Sequence, residues 1–434
     1  MKFLYSDTQD YVNPNYDFIN DCHEQGHKRY WDDKYAHEIV VPEPYDGLLM
    51  SMSSIRQIAG VSSSKVRYST AEEQRLLREG ARKFLRYDQP HHLDKMVMGD
   101  CGAFAYATLP KPAYSPQEVI DFYTDAEFTH GCSPDHIIFD CDINDPKPND
   151  LIAAGKSYLL DRYNITLTNA EEFLKINKFE GAYFEPIAPI QGWSPESMAD
   201  AALDLEKMGY EYLAVGGLVP LNMPTIHQVL RKIRENIKPE TKIHLLGFAK
   251  ANYIQDFTNY GITSFDSTSP LIKAFKDNKN NYFMPDGNGG IKFYTAIRIP
   301  QATENYRLMQ GIKMGILDTD VLIKKEQLAL QTLRDFDKGI ISVETTLDVV
   351  TDYHSYLLLE SHNGHSPQQL RELEKTRALM KVTLQDKPWQ TCQCSICQSC
   401  GVEVIIFRGS NRNKRRGFHN LSIYHTYVQN ILEN

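Results

Sequence analysis

Short apolar runs recur through the first two thirds of the chain, and segments with helical spacing or turn residues separate them. This alternation is typical of parallel βα units. The pattern predicts eight strands, which lie at residues 3–6, 47–52, 95–99, 136–139, 183–190, 211–215, 242–246 and 262–265. Eight such strands predict an α/β fold of the (β/α)₈ TIM-barrel type.

Two segments between the later strands, 195–208 and 225–237, carry apolar residues at three- and four-residue spacing. This spacing is typical of amphipathic helices that cover a barrel. Gly209 and Pro239 then supply helix stops. These helices fit the barrel prediction.

The final third of the chain has a different pattern. Residues 281–299 contain two strand-like runs around a proline- and glycine-rich turn, which predicts a hairpin inserted beside the barrel. Residues 318–384 are helical in pattern with mixed charge. The chain therefore divides, on sequence, into a barrel at 1–317 with a hairpin near 281–299, and a helical extension with a C-terminal metal-binding subdomain at 318–434.

Four of the eight cysteines are concentrated within nine positions near the C-terminus. The spacing Cys392-x-Cys394-x₂-Cys397 offers three thiolate ligands in one tight loop, which favours a structural zinc site. The candidates for the fourth ligand are Cys400, His419 and His425, of which we favour His419. An iron–sulfur cluster is the alternative for these cysteines.

Composition limits the function further. The 434-residue chain has a net charge of −9, so contact with nucleic acid must be local rather than spread over the surface. It has neither a signal-peptide pattern nor an apolar stretch long enough to cross a membrane, so we expect a cytoplasmic protein. The local candidate for phosphate contact is a basic run that contains Arg408, Arg412, Lys414, Arg415 and Arg416.

Three carboxylates follow predicted strands: Asp100, Asp140 and Asp266. In a barrel the carboxyl ends of the strands meet on one face, where active sites form. An aspartate in such a place is also a common turn or helix-capping residue. Glycine-rich loops, 191–192 and 216–217, follow two more strands and permit close approach of a flat ligand to the backbone.

The motifs at these strand ends resemble those of the tRNA-guanine transglycosylase family in order and spacing. The DSGG(F/Y)Q element of that family resembles DCGAFA, its FDE resembles FDC, and its VQGG resembles IQGW. Its IGGL resembles VGGL, and its nucleophile motif resembles FDS. The zinc motif and its later HN pair also match. In this chain these segments lie at 100–105, 139–141, 190–193, 215–218, 265–267, 392–397 and 419–420.

The resemblance implies a base exchange with two catalytic aspartates. Asp266 would be the nucleophile that attacks C1′ of a guanosine nucleotide and expels guanine, and Asp100 would be the general acid and base. The remaining residues that it implies would bind the base: Asp140 and Gln191 at its edge, Gly216 and Gly217 through the backbone, and Phe104 and Leu246 against its faces.

Departures from the family pattern favour DNA over tRNA as the polymer. The sequence after Asp266 reads STSP where the tRNA enzymes have LPTR, and VPLN at 219–222 lacks the acidic residue that accommodates an aminomethyl-bearing base. These differences resemble the DNA-modifying branch, which inserts preQ0-type 7-deazaguanines into DNA with a possible ParB-like ATPase partner. The alternatives are a tRNA-guanine transglycosylase and a non-catalytic subunit that binds nucleic acid.

Overall fold

A closed barrel of eight parallel strands forms the centre of the computed structural model, which describes residues 1–59, 61, 66–248, 251–362 and 364–433. Each strand pairs with the next along the chain, and the last strand pairs with the first. The barrel strands are β1 (Lys2–Ser6), β2 (Gly47–Ser51), β3 (Met96–Asp100), β4 (His130–Cys132), β5 (Glu185–Ile190), β6 (Tyr212–Val215), β7 (Lys242–Leu245) and β8 (Ser264–Asp266).

Apolar side chains fill the interior of the barrel. Alternate residues of a strand point to opposite sides, so one set of side chains from each strand meets inside the barrel. A buried cluster joins residues from six strands, and Leu246 packs against it; its members are Leu4, Leu49, Met96, Met98, Cys132, Ile187, Tyr212 and Ala214. The interior is therefore a packed core, and the barrel's chemistry belongs to its ends.

Seven of the eight predicted strands are confirmed, and the prediction of a strand at 136–139 is wrong. The fourth strand is His130–Cys132, which has only three residues. The apolar run after it lies in a loop, where Ile138 packs with Leu151, Leu159 and Trp193 outside the barrel interior. That burial explains the run's hydrophobicity without a strand.

Helices connect the strands, and local capping fixes their ends. The helix Pro195–Met208 has the predicted bounds: the Ser194 side chain accepts a hydrogen bond from the Ser197 amide at its start, and Gly209 ends it at a φ of 106°. The predicted helix at 225–237 is Met223–Asn236. The other helices of this part are Thr70–Glu79, Ala81–Phe84, Pro116–Asp125, Pro148–Ala153 and Ser157–Glu180, with 3₁₀ turns at Met52–Ser54, Pro90–His92, Ala103–Tyr106 and Ala251–Tyr260.

The chain forms two compact units, and each contains two segments. The first unit, Met1–Gln9 and Tyr45–Ser269, holds the barrel, whereas the second consists of Asp10–Pro44 and Pro270–Asn434. This division differs from the predicted boundary between residues 317 and 318. The hairpin, Tyr282–Pro285 with Ile291–Tyr294, forms as predicted but belongs to the second unit.

The second unit is mainly helical, as the pattern of residues 318–384 predicts. Short strand pairs join Tyr11–Val12 to Lys34–Tyr35 and Ile297–Arg298 to Ile406–Phe407. Its helices are Ala36–Ile39, Tyr306–Lys313, Thr319–Asp337, Val343–Tyr356, Pro367–Asp386, Pro388–Thr391, Ser395–Cys400 and Ser410–Glu433, with a 3₁₀ turn at Gly401–Ile405; Ser269–Lys276 leads into it from the barrel. Within the described residues, no helix combines the length and apolarity needed to cross a membrane.

Candidate active site and metal centre

The carboxyl ends of four barrel strands carry hydroxyl and carboxyl groups. Ser51 ends β2, Asp100 ends β3, and these two residues are direct partners across the sheet. Asp266 ends β8, where it pairs with Leu4 of β1. Ser6, two residues after Leu4, ends β1. The two predicted catalytic aspartates therefore lie on the face of the barrel where parallel strands converge.

Three hydrogen-bond donors surround the buried Asp266 carboxylate. The Ser6 hydroxyl donates to Oδ2 at 2.5 Å, while the Gly247 amide lies 2.8 Å from Oδ1. His244 Nε2 also lies 3.2 Å from Oδ1. Because the carboxylate is 5% exposed and both oxygens are engaged, its position in the barrel mouth is fixed.

Asp100 lies in a different environment. It accepts hydrogen bonds from the Ser51 hydroxyl and, at 3.1 Å, from the Gly102 amide. Burial and repulsion from Asp135 and Asp266 outweigh these bonds and raise the pKa of Asp100 to about 7. A carboxyl group with this pKa can both donate and accept a proton near neutral pH.

Gly102 permits this arrangement through its backbone. It has a φ of 79°, and a Cβ there would lie 2.0 Å from Ser53 Oγ and 2.4 Å from Ser51 Oγ. A side chain at this position would therefore displace the hydroxyl that hydrogen-bonds to Asp100.

A third carboxylate, Asp135, completes the cluster. It is 3% exposed, and Gln191 Nε2 donates to its Oδ2 at 2.6 Å. The Cys101 thiol lies 3.5 Å from its Oδ1. Burial raises the pKa of Asp135 to about 6, although both hydrogen bonds oppose the shift. Asp135 and Gln191 therefore form a buried, hydrogen-bonded pair near Asp100.

Asp140, the residue that motif matching placed at the base edge, lies elsewhere. It is exposed, accepts a hydrogen bond from the Tyr158 hydroxyl at 2.7 Å, and lies 3.9 Å from Lys156 Nζ. The expectation rested on a strand at 136–139, whereas the strand ends at Cys132. Its carboxyl end therefore places Asp135, not Asp140, beside Asp100.

The predicted glycine loop lies against Gln191 and the loop after β4. A Cβ on Gly216 would lie 2.6 Å from Gln191 Nε2, and one on Gly217, whose φ is 71°, would lie 2.5 Å from the Ile138 carbonyl oxygen. Gln191 Oε1 in turn accepts from the Ile138 amide at 2.9 Å. Both glycines are therefore needed to bring these loops close together.

The two residues expected at the faces of the base differ in exposure. Phe104 is 70% exposed on the 3₁₀ turn after Asp100, and its ring meets Phe139 edge-on at 5.6 Å. Leu246 is half-buried and packs on the barrel core. An exposed ring on the turn after Asp100 is free to stack on a planar ligand.

Sequence reasoning missed five residues that contact these carboxylates. Ser6 and Ser51 had a usable signal, because each lies at the end of a predicted strand. Asp135 had none, since its strand was not recognised. Cys101 follows Asp100 directly, and His244 lies inside β7. Their contacts with Asp135 and Asp266 come from residues distant in the chain, so sequence spacing could not indicate them.

A separate cluster lies in the second unit, at the predicted metal site. Three thiol groups face one imidazole: His419 Nδ1 lies 3.6 Å from Cys392 Sγ, 3.3 Å from Cys394 Sγ and 3.4 Å from Cys397 Sγ. A tetrahedral zinc ion with bonds of about 2.3 Å to sulfur and about 2.0 Å to nitrogen separates such atoms by about 3.5 Å. The four side chains therefore fit a closed zinc site.

The hairpin orients the histidine ligand. His419 Nε2 lies 2.7 Å from the Phe283 carbonyl oxygen, which leaves Nδ1 to face the sulfur atoms. The Tyr282 ring stacks on His419 at 4.0 Å, and the adjacent Asn420 accepts a hydrogen bond from the Phe283 amide at 3.0 Å. The hairpin thus orients His419 without supplying a metal ligand itself.

Cys400 and His425, the other candidates for the fourth ligand, lie outside this four-residue cluster in the described chain. Arg415 Nη1 lies 3.4 Å from Cys400 Sγ, and His425 Nε2 contacts the Gln429 side chain at 3.0 Å. The geometry favours His419.

The prediction that the basic run binds phosphates is wrong for its four arginines, because they are buried. Arg408 pairs with Asp21 and Glu326, and Arg412 pairs with Asp21 and Glu403. The other two donate mainly to backbone carbonyls: Arg415 to those of Asn13 and Pro14, and Arg416 to those of Ala274, Val404 and Ile406. Lys414 is half-buried, with its Nζ 3.8 Å from Asp10. The run is a structural element of the second unit.

Comparison with known proteins adds an independent finding. A DNA-guanine transglycosylase from Salmonella montevideo is 38% identical to this chain over 433 residues, which cover 100% of this chain and 97% of that protein. No protein-family profile matches the chain.

Proposed function

Since this chain belongs to the guanine transglycosylase family, we propose that it replaces guanine in DNA with a 7-deazaguanine such as preQ0. The observation that carries the proposal is the pair of aspartates in the barrel mouth, which have different surroundings. Asp266 is held by three donors, whereas Asp100 has a pKa raised to about 7. Two carboxyl groups with such distinct environments suit one nucleophile and one proton carrier.

In the first half of the exchange, an Asp266 oxygen attacks C1′ of the target nucleotide. The bond between C1′ and N9 breaks, its electron pair stays on guanine, and protonated Asp100 supplies a proton to the departing base. The sugar is then held as an ester of Asp266.

The second half runs in reverse with the incoming base. Ionised Asp100 removes the proton from the ring nitrogen of the 7-deazaguanine, and that nitrogen attacks C1′. The Asp266 carboxylate is released and Asp100 is again protonated. No redox step or external energy source is needed, since one glycosidic bond replaces another.

Recognition of the base falls to the groups beside Asp100. Asp135 accepts hydrogen bonds from the ring N–H and amino group that guanine and 7-deazaguanine share, and Gln191 and the Gly217 amide bind near the ring carbonyl. Phe104 stacks on the base, and Leu246 lies against its opposite side. The target base leaves the DNA stack to reach this site.

We also propose that the cluster of Cys392, Cys394, Cys397 and His419 binds a structural zinc ion. Four protein ligands leave no open coordination position, so the ion stabilises the second unit and takes no part in the exchange.

Incorporation of radiolabelled preQ0 into DNA tests the proposal, with unmodified tRNA in parallel. Wild-type protein is expected to label DNA, and Asp266→Ala protein is expected to label neither polymer. Label in tRNA alone would show that the polymer is wrong. Label in neither would contradict base exchange by this chain under those conditions.

The covalent step has its own readout. Wild-type protein incubated with DNA without an incoming 7-deazaguanine is expected to form a DNA adduct that survives denaturing electrophoresis, because no incoming ring nitrogen is present to release the ester of Asp266. Asp266→Ala protein must form none. An adduct that persists in Asp266→Ala protein would exclude this residue as the nucleophile.

A further inference from the structure

A cavity of about 450 Å³ lies within the second unit, apart from the zinc cluster. It is bounded by the strand Ile297–Arg298 and by the helices Tyr306–Lys313, Val343–Tyr356 and Pro367–Asp386. Its volume is in the range of small-ligand sites. Its lining is rich in cations: Lys279, Arg298, Arg307, Arg371 and Lys375.

The charge of this cavity opposes that of the whole chain. One carboxylate, Glu372, accompanies the five cations, although the chain as a whole carries a net charge of −9. Burial and, after it, repulsion from Arg307 lower the pKa of Arg298, because like charges in one cavity repel one another. An anionic ligand would relieve this repulsion.

Two cations of the cavity differ in ion pairing from other cations on the same helix. On the helix Pro367–Asp386, Arg377 pairs with Asp348 at 2.7 Å, and Lys381 pairs with Glu344 at 2.7 Å. Arg371 and Lys375, on the same helix, form no ion pair with any residue that the structure describes. The helix thus carries one set of cations for structure and another without internal partners.

A buried histidine adds a second, independent observation. His354 lines the cavity, is 8% exposed, and its Nδ1 has no hydrogen-bond partner among the described residues. Burial and the nearby Arg298 lower the pKa of His354 to about 4, so the ring is neutral at pH 7. A buried polar atom without a partner is unfavourable, because no hydrogen bond replaces the one it made to water. A ligand oxygen or hydroxyl in the cavity would satisfy this atom.

We propose that this cavity binds phosphate groups of the DNA strand, at a site apart from the base-exchange residues. The choice of DNA as the ligand rests on the proposed function. Arginine and lysine are the side chains that contact phosphate, and several cations together match the close spacing of phosphates along a strand. The site replaces the basic run at 408–416 as the phosphate-binding part of the second unit.

The double variant Arg371→Ala with Lys375→Ala tests the site in the full-length protein. Both side chains are exposed and form no ion pair with a residue that the structure describes, so the fold should persist. The matched control is Lys324→Ala with Lys338→Ala, which removes two exposed cations that do not line the cavity.

Binding of a fluorescein-labelled DNA oligonucleotide is measured at several KCl concentrations. The double variant should bind about tenfold more weakly at low salt. The slope of its log affinity against log salt concentration should be smaller in magnitude by about 1 to 2. The control should keep the wild-type slope. Equal slopes in all three proteins would overturn the proposal.

A second arm distinguishes strand phosphates from a free phosphate compound. Inorganic pyrophosphate is added, and thermal stabilisation is measured. If pyrophosphate stabilises wild-type protein but not the double variant, while DNA slopes are equal, the cavity serves a small anion and the DNA assignment fails.

Base exchange on the same oligonucleotide separates this proposal from the previous one. If the salt slopes of wild type and double variant differ but the oligonucleotide receives no labelled base, base exchange is contradicted and the phosphate site is supported. If the oligonucleotide is modified and the slopes are equal, the phosphate site alone is overturned.

Discussion

His244 lies directly behind Asp266: its Nε2 is 3.2 Å from the carboxylate Oδ1, and both side chains are buried. Because an ionised carboxylate only accepts hydrogen bonds, Nε2 must carry the proton. On the other side of the ring, Nδ1 is 2.6 Å from Ser264 Oγ, which is 2.5 Å from the Tyr212 hydroxyl. A buried chain of polar groups therefore orients the proposed nucleophile.

Replacement of His244 should reduce the rate of exchange without affecting DNA binding. His244→Phe removes a hydrogen bond to a charged group, worth about 1.5–3 kcal/mol, and should lower kcat roughly 10- to 100-fold. His244→Gln retains an N–H donor and should recover part of the loss. Steady-state kinetics would show this as a change in kcat with KM for DNA unchanged; equal losses in the two variants would contradict the role of the donor.

Asp135 and Asp140 provide a matched pair for base recognition. Asp135→Asn replaces an acceptor oxygen with an amide donor beside Gln191 and should raise KM for the incoming base about 100-fold, because polar groups lose their partners. Asp140→Asn changes an exposed carboxyl and should remain within about twofold of wild type. Similar KM values for the two variants would restore Asp140 as a candidate.

The pH dependence of stability should report on Asp100. Its pKa rises from 3.8 to about 7 on folding, so the folded state retains the proton longer than the unfolded chain. This contribution to stability is complete below about pH 4 and is lost as pH rises through about 7. Asp135, with a pKa of about 6, acts in the same direction.

Asp100→Asn removes that contribution because an amide does not ionise. The Tm of the variant relative to wild type should therefore increase between pH 4 and pH 8, by a few degrees, since partial exposure of Asp100 reduces the effect to about 1–3 kcal/mol. Thermal denaturation across this range measures it, with Asp140→Asn as the control. A constant difference in Tm would show that Asp100 ionises normally.

Zinc content should distinguish Cys394 from Cys400. Wild-type protein should contain one zinc ion per chain, and Cys394→Ser should lose it because the thiolate is a ligand. Cys400→Ser should retain it, since Cys400 contacts Arg415 instead. Elemental analysis by mass spectrometry gives the ratio, and loss of zinc in Cys400→Ser would place that sulfur in the coordination sphere.

The barrel was predictable because seven of its strands lie in short runs rich in apolar residues, as strands buried on both sides usually do. The exception is β4, whose residues His130, Gly131 and Cys132 give no apolar run. A stronger apolar signal six residues later belongs to a loop, where Ile138 packs against Trp193. Because the strand was expected six residues too late, the sequence analysis selected Asp140, whereas Asp135 is the aspartate that follows the actual strand.

The site was predictable where a motif coincides with a strand end, as for Asp100 and Asp266. His419 was correctly expected beside the three cysteines, because the helix that carries it, Ser410–Glu433, follows the cysteine loop closely in the chain. The basic run was misjudged because its partners are distant: Asp21, Glu326 and Glu403 cannot be associated with Arg408 and Arg412 from sequence spacing.

These long-range ion pairs have a consequence for biosynthesis. Asp21 bonds to Arg408 and Arg412, which lie 387 and 391 positions later in the chain. The segment Asp10–Pro44 therefore leaves the ribosome long before those partners are made, while the barrel unit can close as soon as β8 has been made and pairs with β1. Until translation nears its end, that segment remains without its ion-pair partners. Truncation of the last thirty residues would remove Arg408 and Arg412, and it would leave the Asp21 charge uncompensated in a protein whose barrel is complete.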